Sequence, residues 1–328
     1  MSAAAQTAPS SPTADLRARF ADDLIRTTRN FRTTTWLGHT IRQNTLDLWV
    51  IQETIAEIRP ALLIECGTNY GGSALFYAHL FDLIGHGAVV TIDVQKLHTL
   101  AHPRITFLQG SSVAPEIVAQ VASRVREARG PVLVILDSDH SEAHVRAELD
   151  AYARFVTPGS YVQVQDGVID ELPIFASDRP GPLPAIESFV RDNPLFEIDH
   201  ERCRRFPVTH HPLGWLRRRP DPFASPAFDL VTRNLRRLAV LGTGSGATRF
   251  HEEAALRGLE IVAFLERDGR EAPSTLYGRP VRPLSQLRQI EPVDAFVIGS
   301  ITYAEPLRAE LTRALLEAGV AAPVVTLA

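Results

Sequence analysis

Between residues 61 and 166 the chain switches repeatedly between two hydrophobic periods. Short apolar runs read as strands: "ALLIECG" (61–67), "AVVTIDV" (88–94), "ITFLQG" (105–110), "PVLVILD" (131–137) and "SYVQVQD" (160–166). The segments "GGSALFYAHLFDLI" (71–84), "APEIVAQVASRVREA" (114–128) and "SEAHVRAELDAYARFV" (141–156) carry apolar residues at helical spacing. Runs that lack polar alternation suit strands covered on both faces. The pattern therefore predicts an α/β fold: a doubly wound, mainly parallel sheet flanked by helices. Upstream, residues 15–31 predict a helix carrying Leu16, Phe20, Leu24 and Phe31, and a second helix runs from about Leu46 to Ile58.

The pattern breaks at "RRRPDPFASPAFDLVTRNLRR" (217–237), which is rich in proline and arginine and without clear period at first. It restarts with "LAVLGTGSGATRFHEEAALRG", "LEIVAFLERD", "DAFVIGS", "YAEPLRAELTRALLEAG" and "APVVTL". Four parts are expected: an N-terminal extension and helix over 1–30, a main domain over 31–219, a linker over 220–236, and a smaller Rossmann-like α/β domain over 237–328.

Composition narrows the function classes. The net charge of −4, from 34 basic and 38 acidic residues, is too small and of the wrong sign for a nucleic-acid footprint. The two cysteines, Cys66 and Cys203, form no CxxC pair, so neither a zinc site nor a disulfide framework is indicated. The start of the chain is not a signal peptide, and no stretch approaches the ~18 apolar residues of a membrane span. A cytoplasmic protein acting on a small molecule is expected, with homo-oligomerisation left open.

The strand ends carry the candidate chemistry. In "LLIECGTNYGGSALF" a strand runs through a glycine turn into a helix, and Gly67 and Gly71 would let a ligand approach the backbone. The spacing is not GxGxxG. Glu65 sits where a pyrophosphate would be repelled and an amino-acid ammonium welcomed. Asp93 closes the next strand, where an acid can bind ribose hydroxyls. An acid before the turn and another after the second strand is the logic of an S-adenosylmethionine pocket. Tyr70, Ser73, Ser111 and Asp137 complete the candidate cofactor contacts.

Five stretches then carry a resemblance: "TTWLGHTIRQNTLDLWVIQETI" (34–55), "LLIECGTNYGGSALFYAHL" (62–80), "VILDSDHSEAHVRAELDAYARFVTPGSYVQVQD" (134–166), "GPLPAIESFV" (181–190) and "VTHHPLGWLRR" (208–218). In order and spacing they resemble the cephalosporin hydroxylase family, which includes rhamnosyl O-methyltransferase-like proteins. The resemblance covers about residues 30–218. It implies a class I methyltransferase fold that binds S-adenosylmethionine, in many members with Mg²⁺. It also implies metal ligands at Asp137 and at the pair Gln165–Asp166, where relatives often carry two acids.

The residues themselves also point to a metal. Asp137 and Asp166 end neighbouring strands, ~4.8 Å apart, so both carboxylates can share one cation at the rim where such sheets bind ligands. His140 and His144 follow at i and i+4. Three readings stay open: two zinc ligands on one helix face, a general base at His140, or capping and packing roles. Residues 167–184 follow Asp166 directly and form the candidate lid over the acceptor. "PVTHHPLGWLRRR", with His210 and His211, reads as a segment beside the acceptor, a subunit contact or a surface loop.

In the second domain Gly242, Gly244 and Gly246 precede a helix, and Glu266 lies about twenty residues on. This resembles a Rossmann-type nucleotide site, and the unit resembles the small domain attached to sugar acetyltransferases and some sugar methyltransferases. The main expectation is an S-adenosylmethionine-dependent, Mg²⁺-assisted O-methyltransferase acting on a sugar or glycosylated natural product. The alternatives are a hydroxylase and a sugar-nucleotide-binding accessory protein.

Overall fold

A computed structural model describes residues 12–327, as two sheets and a short hairpin. The hairpin pairs β1 (Thr35–Trp36) with β2 (His39–Thr40). Seven strands form the first sheet: β3 (Leu62–Cys66), β4 (Ala88–Asp93), β5 (Ile105–Gln109), β6 (Val132–Leu136), β7 (Tyr161–Val164), β8 (Phe196–Ile198) and β9 (Trp215–Arg218). Their spatial order is β5-β4-β3-β6-β7-β9-β8. The first five are mutually parallel, and β9 runs antiparallel between β7 and β8. All five residues of β3 and all five of β6 are buried, as double-sided runs require. Two apolar layers cover the sheet. One, with Ile64, Val134 and Leu149, lies on one face, and the other, with Leu63, Leu133 and Phe81, on the opposite face.

The N-terminal helix spans Pro12–Arg26, and a short turn of helix follows over Asn30–Thr33, rather than one helix over 15–31. Leu16 and Phe20 stand exposed, while Ala21 and Ile25 pack on Val168, Leu172 and Val208 beside the first sheet. The helix expected from Leu46 spans Thr45–Ile58, capped by Asn44, whose side chain accepts from the Leu46 N–H.

The second sheet holds β10 (Arg237–Leu241), β11 (Glu260–Glu266), β12 (Thr275–Leu276), β13 (Arg279–Pro283), β14 (Ala295–Ile298) and β15 (Val324–Thr326), in the order β12-β13-β11-β10-β14-β15. All pairs are parallel except the β12–β13 hairpin. Within 220–236, read above as a linker, the chain forms the helix Ala224–Thr232. Ala227 and Leu230 of that helix are fully buried against the second sheet's core, which explains why proline-rich sequence need not be a tether.

In both sheets the chain reverses direction of winding beside its first strand. The reversals fall between β3 and β6 and between β10 and β14. Crevices at such reversals, outside the carboxyl ends of the strands, are where open α/β sheets hold ligands.

Candidate functional site

Two cavities meet at the carboxyl ends of β3 and β6. One, of about 580 Å³, is lined by Tyr70, Gly71, Ser73, Asp166, Ile169 and Phe175 among others. The other, of about 480 Å³, is lined by Asp93, Val94, Ser111, Ser112 and His144 among others. Gly67, Asn69 and the run Asp137–Ser138–Asp139–His140 belong to both walls.

Gly67 makes the junction possible. Its φ is +99°, and a Cβ there would lie 1.9 Å from the Asp137 carbonyl oxygen. Only a residue without a side chain lets the turn after β3 pass so close to the end of β6. Asp93 holds the turn from the other side: its Oδ2 accepts from the Asn69 N–H at 2.8 Å and its Oδ1 from the Gln95 N–H at 3.0 Å. Glu65 lies beneath the turn, 1% exposed, and lines neither cavity. It accepts from Thr91 Oγ1 at 2.5 Å and from Ser73, yet burial pushes its carboxyl up to about 7.

Asp137, His140 and Asp166 converge, with one ligating atom of each within 4.8 Å of the others. His140 Nε2 is 3.2 Å from Asp166 Oδ2. Burial, then the charge of Asp166, raises the Asp137 carboxyl well above the usual carboxylate range, and a hydrogen bond from Gln43 opposes the rise. Two carboxylates and an imidazole form a donor set that suits a divalent cation, and the unfavourable charge at Asp137 is what a cation would relieve.

Both expected carboxylates belong to the cluster, and His140 joins them; Gln165, the other expected donor, lies deeper. Gln165 is 1% exposed and lines neither cavity. Its amide belongs to a buried chain in which Gln43 Nε2 lies 2.7 Å from both Gln165 Oε1 and Asp137 Oδ2, and Gln165 Nε2 donates to Gln163 Oε1 at 3.0 Å. Turned over, the same amide would donate to Asp137 Oδ1 at 3.1 Å. In either orientation Gln165 lies against Asp137 from within the fold, and His140 is the histidine that joins the two carboxylates. The reason is strand phase. Gln163 and Gln165 point to one side, and Asp166, at φ +56°, turns out of the sheet.

His140 and His144 do not share a helix face. The helix starts at Glu142, after a turn in which Asp139 Oδ1 accepts from the Ser141 N–H at 2.9 Å. That bond holds the Asp139 carboxyl below its ordinary pKa. Ser141 occupies the N-cap position but its side chain makes no capping hydrogen bond, and Ser138 donates to Glu148 Oε1 at 2.6 Å. His144 turns to Ser112 Oγ at 3.1 Å and to Glu148 at 3.4 Å, and the Glu148 carboxylate raises its pKa. This separation removes the two-histidine zinc arrangement.

"PVTHHPLGWLRRR" is an interior segment and not a surface loop. His210 and His211 are 0% and 1% exposed, and Trp215–Arg218 is β9. His211 Nδ1 accepts from the Asp166 N–H at 3.0 Å, which fixes the left-handed turn that aims the Asp166 carboxylate. Asp47 anchors the segment, accepting from the His210 N–H at 2.8 Å and from Thr209 Oγ1 at 2.6 Å. Residues 167–184 form the short helix Val168–Glu171, a 3₁₀ stretch over Pro173–Asp178 and the start of the helix Pro182–Asp192. Val168, Ile169, Phe175 and Asp178 wall the larger cavity.

Gln43, Asp47 and Glu148 were not singled out in the sequence. Gln43 lies ninety-four residues from Asp137, and no spacing rule links a polar residue after a hairpin to a distant strand end.

Comparison with known proteins follows the first unit closely. The rhamnosyl O-methyltransferase of Mycobacterium tuberculosis (strain H37Rv) is 36% identical over 191 residues, covering 56% of this chain and 77% of its own length. That of Mycobacterium leprae (strain TN) is 36% identical over 194 residues, covering 58% of this chain and 85% of its own length. Among solved structures, CmcI with Mg and SAM shares 20% identity at a TM-score of 0.46, over 58% of this chain and 78% of that one. MycE with Mg, SAH and mycinamycin VI shares 20% identity at 0.36, over 49% and 43%. The family rhamnosyl O-methyltransferase/CmcI matches residues 28–219, a span that contains the whole acid–imidazole cluster, and the chain belongs to that family.

Proposed function

We propose that the chain transfers a methyl group from S-adenosylmethionine to a hydroxyl of a sugar or glycosylated natural product, assisted by Mg²⁺. The observation that carries this reading is the junction: Asp137 and His140 line both cavities, and Asp166 joins them from the wall of the larger one. The smaller cleft suits the methyl donor. Asp93 has lone pairs left for ribose hydroxyls, Ser111 and Ser112 line the wall, and the close-packed turn at Gly67 leads to the larger cavity. The larger cavity suits the acceptor. Ile41, Val168, Ile169 and Phe175 give it apolar walls that exclude water, while Asp139, kept ionised, offers acceptors to sugar hydroxyls.

Asp137, His140 and Asp166 would hold the divalent ion. A bound cation supplies Lewis acidity that lowers the pKa of a coordinated hydroxyl. The protein's remaining task is alignment: with both substrates held in adjoining cavities, the acceptor oxygen faces the methyl carbon without diffusing to it. A metal hydroxylase of the two-histidine, one-carboxylate type fits less well, because the cluster holds one histidine and two carboxylates. Both cysteines are buried and unpaired, which agrees with action in the reducing cytoplasm. The known relatives of rhamnosyl O-methyltransferase name support a deoxysugar hydroxyl as the acceptor class.

Calorimetry with S-adenosylhomocysteine tests the donor site. Asp93→Ala should weaken binding by ~1.5–3 kcal/mol, the range for a hydrogen bond to a charged group. A native chain that binds NAD in preference would overturn the reading.

A further inference from the structure

The second unit has a cavity of its own. It measures about 510 Å³ and shares no lining residue with the two cavities of the first unit. Its walls are the turns that follow β10, β11 and β14, so it occupies the reversal in strand order of the second sheet.

Four features describe what would fill it. Arg249, Arg267 and Arg270 line it against a single lining acid, Glu266. Arg270 pairs with that acid at 3.5 Å and Arg267 with Glu310 outside the cavity at 3.9 Å, while Arg249, stacked over the Phe223 ring, meets no carboxylate in the cavity. The lining therefore carries a net positive charge in a chain of net charge −4. Gly244 has an ordinary φ of −86°, and a Cβ there would meet nothing within 4 Å. Packing therefore does not demand glycine at that position. Its bare backbone leaves the amides at the start of the twelve-residue helix Ser245–Leu256 accessible from the cavity. Glu266 is 3% exposed, and its oxygens accept from Thr243 Oγ1 and the Arg267 N–H, each at 3.0 Å. Its Oε1 also lies 3.5 Å from the Arg270 guanidinium, an exposed pairing that still leaves lone pairs for further donors. Ile301 and Tyr303, on the turn after β14, stay 46% and 66% exposed despite their size.

We propose that this cavity binds a nucleoside diphosphate. The diphosphate lies against the amides of Gly244–Gly246 with Arg249 and Arg270 as counter-charges. The ribose hydroxyls donate to Glu266, and the base rests on Tyr303 and Ile301. A single nucleotide fits better than a dinucleotide. The sheet has three parallel strands on one side of the reversal, β10, β11 and β13, and only β14 and β15 on the other.

The test is calorimetry of the full chain with ADP, UDP, GDP, CDP and TDP, with inorganic pyrophosphate and NAD as comparisons. At least one nucleoside diphosphate should bind saturably and at least tenfold tighter than pyrophosphate or NAD. Gly244→Glu places a carboxylate in the open space where the diphosphate would lie and should weaken that binding at least tenfold. Arg270→Glu changes an exposed side chain and should weaken it similarly, with an unchanged melting curve. Three results would each overturn the proposal: no nucleoside diphosphate binding at millimolar concentration, pyrophosphate binding as tightly, or full affinity in a folded Arg270→Glu chain.

Discussion

Asp166 and Gln165 are neighbours in sequence and do different work, because one residue of strand phase separates an inward amide from an outward carboxylate. The positions of Asp137 and Asp166 were legible, since each ends a segment that reads as a strand. Which member of the 165–166 pair faces the cavity was not, because the left-handed turn at Asp166 depends on His211, forty-five residues away. The phase gives an expectation for Gln165→Glu. A second buried carboxylate beside Asp137 would share the one Gln43 amide with it, so in EDTA the variant should lose about 2 kcal/mol, read from denaturant melts. Unchanged stability would place Gln165 elsewhere. His140→Ala should weaken Mn²⁺ or Mg²⁺ binding, measured by calorimetry, at least tenfold if the imidazole is a ligand. Intact metal affinity with slow turnover would make it a base instead. Glu65 gives a pH dependence. Its carboxyl rises on folding from the ordinary 4.5 to about 7, so its contribution to stability is full below about pH 4.5 and is lost as pH rises through 7. Relative to Glu65→Gln, the native apoprotein should therefore weaken across that window, by on the order of 3 kcal/mol. Parallel melting curves of the two chains from pH 4.5 to 8 would refute this.

At the scale of elements, the long apolar runs announced their strands, and double-sided burial explains why. The short pieces did not. β1, β2, β8 and β9 have two to four residues each, too few for a period to show, and β9 lies within a run of arginines. The segment 208–214 has no regular structure at all and is held by Asp47, one helix away. Asp47→Ala would leave the Thr209 hydroxyl and the His210 N–H without their acceptor in the interior. A loss of about 3 kcal/mol is expected in chemical denaturation, together with a lower methyl-transfer rate, because the same segment steers Asp166. A variant that lost stability but kept full turnover would separate the two effects.

At the scale of the molecule, the alternation of strand and helix disclosed two sheets, while the contact between the units left no local pattern. Arg218, 3% exposed at its side chain, closes β9 and meets Asp221 and Glu253, each at 3.2 Å. Glu253 lies on the helix Ser245–Leu256 of the second unit and also holds the buried Arg257 at 2.5 Å. Its removal would take the carboxylate from the buried Arg257 and leave Arg218 with Asp221 as its remaining carboxylate partner. Glu253→Ala should therefore cost about 3 kcal/mol or more and lower the melting temperature of both units together. Two separate transitions, with only one shifted, would show that the units unfold independently. For the same reason a chain ending at Arg219 should melt below the full chain, since Arg218 loses both carboxylates.

The wall shared by the two cavities has a kinetic consequence. In the proposed assignment, donor and acceptor would lie on either side of the same run, Asp137–His140, which lines both cavities. No cysteine lines either side, so the protein offers no thiolate to carry the methyl group between half-reactions. Direct transfer, with both substrates present at once, is then the expected course. Double-reciprocal plots at several fixed acceptor concentrations should intersect rather than run parallel, and the methyl carbon should invert its configuration once per turnover.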